Sequence, residues 1–209
     1  MKVEVKNLKK EFGNQMVFDR FNLLIESGEM VCILGKSGSG KTTLLNILGL
    51  IEKHDGGQIL YNDALINNMA KQRKLLSTKI GFIFQNFGLI DNETVYENLA
   101  LVKLLKYKNK KAKLELIMNS LIMVGLSKQH LDKKVFECSG GEQQRISIAK
   151  ILLKDCEVIF ADEPTASLDH ENKLNILSHL KELHRKGKTI VIVSHDHDVC
   201  EYCDRVISI

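Results

Sequence analysis

Eight consecutive residues, Gly35, Lys36, Ser37, Gly38, Ser39, Gly40, Lys41 and Thr42, constrain the folding of this 209-residue chain more than any other segment. They match the pattern G-x-x-x-x-G-K-[ST] in full. A short apolar run at 30–34 leads into them, and 41–50 reads as a helix leading out, so the loop joins a strand to a helix. The glycines allow backbone N–H groups to wrap an anion without side-chain collision. Lys41 would then neutralise the outer phosphates of a nucleotide, and the Thr42 hydroxyl would ligate Mg²⁺.

Periodicity places this loop in an α/β chain. Val3, Val5 and Leu8 begin an alternating segment, and residues 18–25 are rich in strand formers. Residues 58–61 and 80–84 read as further short strands. From Thr94 to about Val135 the pattern turns helical, opened by the capping box Thr94-Val95-Tyr96-Glu97. Leu114, Ile117, Leu121 and Val124 keep a helical period that Gly125 stops. The run Val158-Ile159-Phe160-Ala161 is the continuous apolar kind buried in parallel sheets. A helix at about 171–186 and a strand at 189–193 follow. Strand and helix alternate, with a helical insertion around residues 89–137.

A second glycine-rich segment, Ser139-Gly140-Gly141-Glu142, opens a helix whose apolar positions include Ile146, Ala149 and Leu153. Ser139 and Glu142 fit a capping box. Two glycines at a helix N-terminus also let backbone donors approach a phosphate, which the helix dipole favours. Asp162 and Glu163 end the apolar strand, on the edge where open α/β sheets bind ligands. Asp162 would hold Mg²⁺, and Glu163 would activate a water against the outer phosphate. Pro164, the only proline, directly follows this acidic pair.

Composition narrows the function classes. Hydrophobic content of 44% against 27% charged residues suits a globular domain rather than a disordered or membrane-embedded one. The first residues lack a signal-peptide core, and no apolar run reaches bilayer length, so a cytosolic location is expected. Five cysteines without framework spacing read as reduced thiols. A net charge of +4 does not by itself indicate nucleic acid. Lys103, Lys106, Lys108, Lys110, Lys111 and Lys113 form a basic cluster, read as a solvated face or as a contact for anionic lipid or an acidic partner.

The motifs and their order resemble those of the ATP-binding-cassette (ABC) ATPases. They run from the phosphate loop through Gln85 after a strand, the Ser139–Glu142 signature, Asp162-Glu163 and Ser167-Leu168-Asp169 to His195. The resemblance implies a P-loop NTPase (RecA-like) core with an N-terminal antiparallel β subdomain and an inserted α-helical subdomain. Residues 1–88 and 138–209 would form the first two and residues 89–137 the third, within a single domain. It implies ATP and Mg²⁺ as cofactors, Phe12 stacking on adenine, and Thr43 joining residues 35–42 on the phosphates. Gln85 is similar to the glutamine that touches Mg²⁺ or the attacking water and senses a membrane partner. Asp169 matches the residue that crosses a dimer interface, and His195 the switch histidine that aligns Glu163 and water. Ser139, Gly140, Gly141 and Glu142 would meet the nucleotide bound to a second copy. Cys138 stands where the family usually has leucine, which implies looser packing, and Glu142 where glutamine is commoner.

The implied partners are a second ATPase subunit, paired on ATP binding, and a separately encoded integral membrane permease. The implied place is the cytoplasmic face of the membrane. Residues 84–90 and the ending fourteen residues after His195 resemble the branch that exports lipoproteins, macrolides or peptides, with no further regulatory domain expected. The alternatives are a non-transport ABC ATPase regulating a membrane or cell-wall complex, and a soluble one acting on nucleic acid or the ribosome. No nucleic acid is expected, because tandem cassettes and a long coiled-coil insertion are both missing. His195, Asp196, His197, Asp198, Cys200 and Cys203 also admit a zinc reading, and Cys-x-x-Cys a redox one. His195 is already placed by the strand before it.

Overall fold

A computed structural model describes residues 1–102, 109–166 and 168–209. Lys103, Lys106 and Lys108 of the basic cluster, and Ser167, lie outside the described residues. The strands are β1 (Val3–Phe12), β2 (Gln15–Ile25), β3 (Met30–Leu34), β4 (Gly56–Tyr61), β5 (Ala64–Leu65), β6 (Ile80–Ile83), β7 (Val158–Asp162), β8 (Thr189–Ser194) and β9 (Arg205–Ser208). The helices are α1 (Lys41–Leu48), α2 (Met69–Thr78), α3 (Val95–Ala100), α4 (Lys110–Met123), α5 (Gly140–Lys154), α6 (His170–Arg185) and α7 (His197–Cys200).

Two sheets result. An antiparallel sheet has the order β2-β1-β4-β5, and a parallel sheet the order β6-β7-β8-β3-β9. The inner strands β3, β7 and β8 are mostly apolar because both faces are covered. Alternate residues of β7 show the division. Val158 and Phe160 join α1 and the antiparallel sheet in one core, while Ile159 and Ala161 join α5 and α6 in another. This is the mixed α/β P-loop architecture expected from the motifs.

Parallel pairing brings three strand ends to one edge. Leu34 lies beside Ser194, and Asp162 beside Val193. The phosphate loop, the acidic pair and His195 therefore meet because their strands are neighbours. At the far end of α1, Gly49 touches the core so closely that a Cβ would lie 1.9 Å from Phe82 Cζ.

The stretch after Thr94 differs from the expected helical run. The capping box forms as read, with Glu97 N–H donating to Thr94 Oγ1 and Thr94 N–H to Glu97 Oε2. Among the described residues, however, helix is confined to α3 and α4. Beyond α4 come two 3₁₀ turns, Lys128–His130 and Val135–Glu137. Gly125, at φ 72°, closes α4 by donating to the Ile122 carbonyl, and Leu126 donates to that of Leu121. Leu126, Leu121 and Leu131 share the core beneath this stop, and Val135 is buried at the start of the second 3₁₀ turn. Elements without a sequence signal also appear. Helix α2 buries none of its residues, and β9 is an edge strand with only two apolar residues.

Candidate active site

Helix α1 starts at Gly40, whose backbone is left-handed (φ 95°) and which offers no side-chain cap. The donors of the first turn are thus left to whatever binds there. A side chain at this position would be crowded as well as strained, since a Cβ on Gly40 would lie 2.6 Å from Val17 Cγ1. Lys41 is buried and its ammonium donates to the carbonyls of Gly35 and Lys36, each at 2.8 Å. Ser39 Oγ is buried without a partner, an orphan that a phosphate oxygen would satisfy. Residues 35–40 therefore form a cradle rich in donors, with a cation beneath it.

Thr42 Oγ1 donates to Asp162 Oδ1 at 3.1 Å across 120 residues of sequence. Burial holds the Asp162 carboxyl above the usual carboxylate range, and the neighbouring Glu163 adds to that push. The Thr42 bond and the Lys41 charge act in the opposite sense. A hydroxyl and a carboxylate side by side are hard oxygen donors of the kind Mg²⁺ takes, so the pair fits that ion. Gln85, the other expected contact, is exposed on the turn after β6.

Glu163 has a left-handed backbone (φ 45°), a costly conformation for a residue with a Cβ. Its N–H donates to the Val193 carbonyl at 3.0 Å, which holds the turn against β8. One carboxylate oxygen, Oε1, lies 2.8 Å from His195 Nδ1, and Ser194 Oγ donates to Oε2 at 3.4 Å. Glu163 is mostly covered, whereas the His195 side chain is 68% exposed. A carboxylate in this position can accept a proton from water, with the imidazole fixing its orientation.

The signature forms a separate cluster. Ser139 Oγ accepts from the Glu142 N–H at 3.3 Å, and the Ser139 N–H donates to Glu142 Oε2 at 2.7 Å. His130 Nε2 lies 3.0 Å from Glu142 Oε1. Burial would raise the Glu142 carboxyl, but the Ser139 N–H and His130 outweigh it and hold the group below its ordinary value. Gly141 faces Asn172, and a Cβ there would sit 2.7 Å from Asn172 Oδ1. That oxygen accepts from Arg145 Nη1 at 2.7 Å, while Asn172 donates twice to the Asp169 carboxylate, at 2.9 and 2.8 Å. Hydrogen bonds from Asn172 also hold Asp169 below the usual range. Among the described residues, no side-chain hydrogen bond or ion pair directly joins this cluster to the Lys41, Thr42, Asp162, Glu163 and His195 group.

Phe12, at the end of β1, is 50% exposed, and Lys10 Nζ lies 4.5 Å from its ring centroid. Glu52 and the Lys53 carbonyl fix that ammonium, each at 2.8 Å. Cys138 is buried in the core with α3 and α4. The segment that suggested zinc is otherwise engaged. Lys173 binds Asp196 and Asp198, and Cys200 faces Cys32. Among the described residues, no group of three His, Cys, Asp or Glu is placed to hold a metal ion.

Sequence reading missed His130, Arg145, Asn172 and Ser194. Asn172 had an indirect signal, since Asp169 at a helix start marks a cap whose carboxylate accepts from the backbone three residues on. The others act through non-local contacts that leave no trace in spacing.

Residues 18–166 match the family described as ABC transporter. The macrolide export ATP-binding/permease protein MacB of Pasteurella multocida is 36% identical over 99% of this chain, which spans only 32% of that relative. The uncharacterized ABC transporter ATP-binding protein MJ1508 of Methanocaldococcus jannaschii is 38% identical over 99% of this chain and 95% of its own length. Among solved structures, the ATP-binding cassette MJ0796, a dimer in a post-hydrolysis state bound to ADP and Pi, aligns with a TM-score of 0.90. The two are 34% identical, over 99% of this chain and 94% of the cassette.

Proposed function

The chain belongs to the ABC transporter family, and from that premise we propose that two copies close on two ATP molecules to drive export through a membrane-spanning permease. The enzyme is an ATPase that uses ATP with Mg²⁺. The observation that carries the catalytic assignment is Glu163, strained at the end of β7, oriented by His195 and adjacent to the Thr42–Asp162 pair.

Each residue has a role within this reading. Residues 35–43 cradle the phosphates, and Lys41 exchanges its loop carbonyls for phosphate oxygens. Thr42 and Asp162 would hold Mg²⁺, with Gln85 on the turn after β6 as a further contact. When bound, the ion neutralises charge developing on the phosphate oxygens. Glu163 takes the proton of the attacking water, and His195 keeps its carboxylate aimed. Phe12 stacks on the adenine. Gly140 and Gly141 present their N–H groups to the nucleotide of the partner subunit, with Ser139 and Glu142 holding that turn and Asp169 crossing beside it.

Residues 89–137 form the helical subdomain in this reading, and residues 1–88 with 138–209 the rest. Support comes from α3, α4 and the two 3₁₀ turns falling within that span. Exposed Ile90 and Phe136 lie close together there, since the Phe136 N–H donates to the Asp91 carbonyl, and Gln85 is exposed as well. These residues suit a permease contact. Among the described residues, no helix is long and apolar enough to cross a membrane, and in this reading the permease supplies the spanning part. Similarity to macrolide export ATP-binding/permease proteins supports export.

Glu163→Gln keeps the shape and removes the base. Turnover is expected to fall by roughly 10²–10⁴-fold with ATP binding retained, measured as phosphate release and by nucleotide titration. Normal hydrolysis by this variant would overturn the assignment of the base. The same variant should retain a multi-span membrane protein from native membranes when ATP is present. ATPase stimulation by nucleic acid with no such protein recovered would overturn transport.

A further inference from the structure

Three of the five cysteines gather just behind the catalytic edge. Cys32 lies in the middle of β3, fully buried, three residues before the phosphate loop begins. Its Sγ is 3.0 Å from Cys200 Sγ, at the end of α7 and five residues after His195. Cys203 follows on the next turn, and both it and Cys200 are partly exposed. The pair therefore joins a fully buried cysteine to a partly exposed one. We propose that Cys32 and Cys200 form a reversible disulfide that ties the strand of the phosphate loop to the helix following His195, and so slows ATP turnover.

Geometry favours the bond. Closing the thiols to a disulfide requires an approach of about 1 Å. Helix α7 is a single turn, held by the Asp196 cap and by Lys173 on Asp196 and Asp198. A short, surface-anchored turn can make that approach at less cost than β3, which has hydrogen-bonded neighbours on both sides. The charge state slows the chemistry without forbidding it. Burial and the Cys32 thiol push Cys200 up to about 12, so little thiolate is present at neutral pH. The pair is thereby protected from casual oxidation and responds to a sustained change in thiol–disulfide poise.

The oxidant is a small-molecule disulfide. Cys200, losing its proton, attacks one of its sulfurs. A bond from Cys200 to that sulfur forms, the small molecule's S–S bond breaks, and one small thiol leaves. Cys32, losing its proton, then attacks Cys200 Sγ. The Cys32–Cys200 bond forms and the second small thiol leaves. The two protons end on the two released thiols, and the protein's two electrons reduce the small disulfide. With Cys32 already 3.0 Å away, the second step outruns release of the mixed disulfide.

The test uses the purified chain in graded mixtures of oxidised and reduced glutathione, with disulfide-mapped peptides and ATPase rates measured together. The linked Cys32–Cys200 peptide should rise as turnover falls, by on the order of tenfold at full oxidation, and dithiothreitol should restore both. Cys200→Ser should abolish the link and the inhibition while keeping the reduced enzyme's activity. Cys203→Ser should keep the link, and Cys32→Ala should trap glutathione on Cys200. Thermal melts establish that each variant is folded. The proposal is overturned if the folded chain yields no linked peptide or if the link forms with turnover unchanged. It is also overturned if inhibition persists in Cys200→Ser. None of these readouts depends on a permease, so they stand apart from the export reading.

Discussion

The N-termini of α1 and α5 begin alike, with glycines among small polar residues, yet their backbone donors meet different partners. Gly40 brings no side chain to α1, and the loop before it holds an orphan hydroxyl on Ser39. Ser139 and Glu142 close α5 with a reciprocal cap, and His130 secures Glu142 from outside the helix. One helix end is built to be completed by a ligand. The other satisfies part of itself within the subunit, keeping only the donors of Gly140 and Gly141 for an approaching anion. A glycine-rich helix start is thus not one device but two, and the residue at the cap position tells them apart.

Substitutions can break or sharpen this contrast. Gly40→Ala forces a Cβ against Val17 in a left-handed backbone and should cost about 1–3 kcal/mol, read as a lowered unfolding midpoint together with weaker nucleotide binding. An unchanged midpoint would mean that the tight approach does not constrain the loop. Ser139→Ala removes a side-chain cap and should cost about 0.5–2 kcal/mol in nucleotide-free protein. If its melting matched wild type, the box would not be structural and the contrast would collapse.

Glu142→Gln has the smallest expected effect, because glutamine can make the same capping bond. Its signature is in pH. The folded-state carboxyl of Glu142 lies below its ordinary value, so its stabilisation is present above the unfolded pKa. It is lost as pH falls through the lowered folded value. The difference in stability between wild type and Glu142→Gln should therefore shrink with acid below about pH 4.5. A difference that stays constant from pH 7 to pH 3 would show that the charge of Glu142 contributes nothing.

Much of the fold was legible because local chemistry repeats locally. The capping boxes at Thr94 and Ser139, the stop at Gly125 and the continuous apolar strands all appear where sequence placed them. The run from 94 to 135 was less legible. Leu126, Leu131 and Val135 are buried like the apolar residues of a helix, but the chain passes between them through 3₁₀ turns. Helix α2 escaped notice for the opposite reason, having no buried residue and so no apolar stripe.

By itself the sequence determined the chemistry on offer: a phosphate cradle, an acidic strand end, a capped glycine-rich helix and a histidine after a strand. These are carried by residue type and short spacing, which govern backbone freedom, capping and burial within a few residues. Only the tertiary structure decided which of them meet. Strand order placed Thr42 against Asp162 and Glu163 against His195 and brought Cys32 to Cys200, while the packing of α5 on α6 set Asn172 against Gly141. Such pairings depend on which strands and helices become neighbours, and that choice is made by burial over the whole chain rather than by any segment of it.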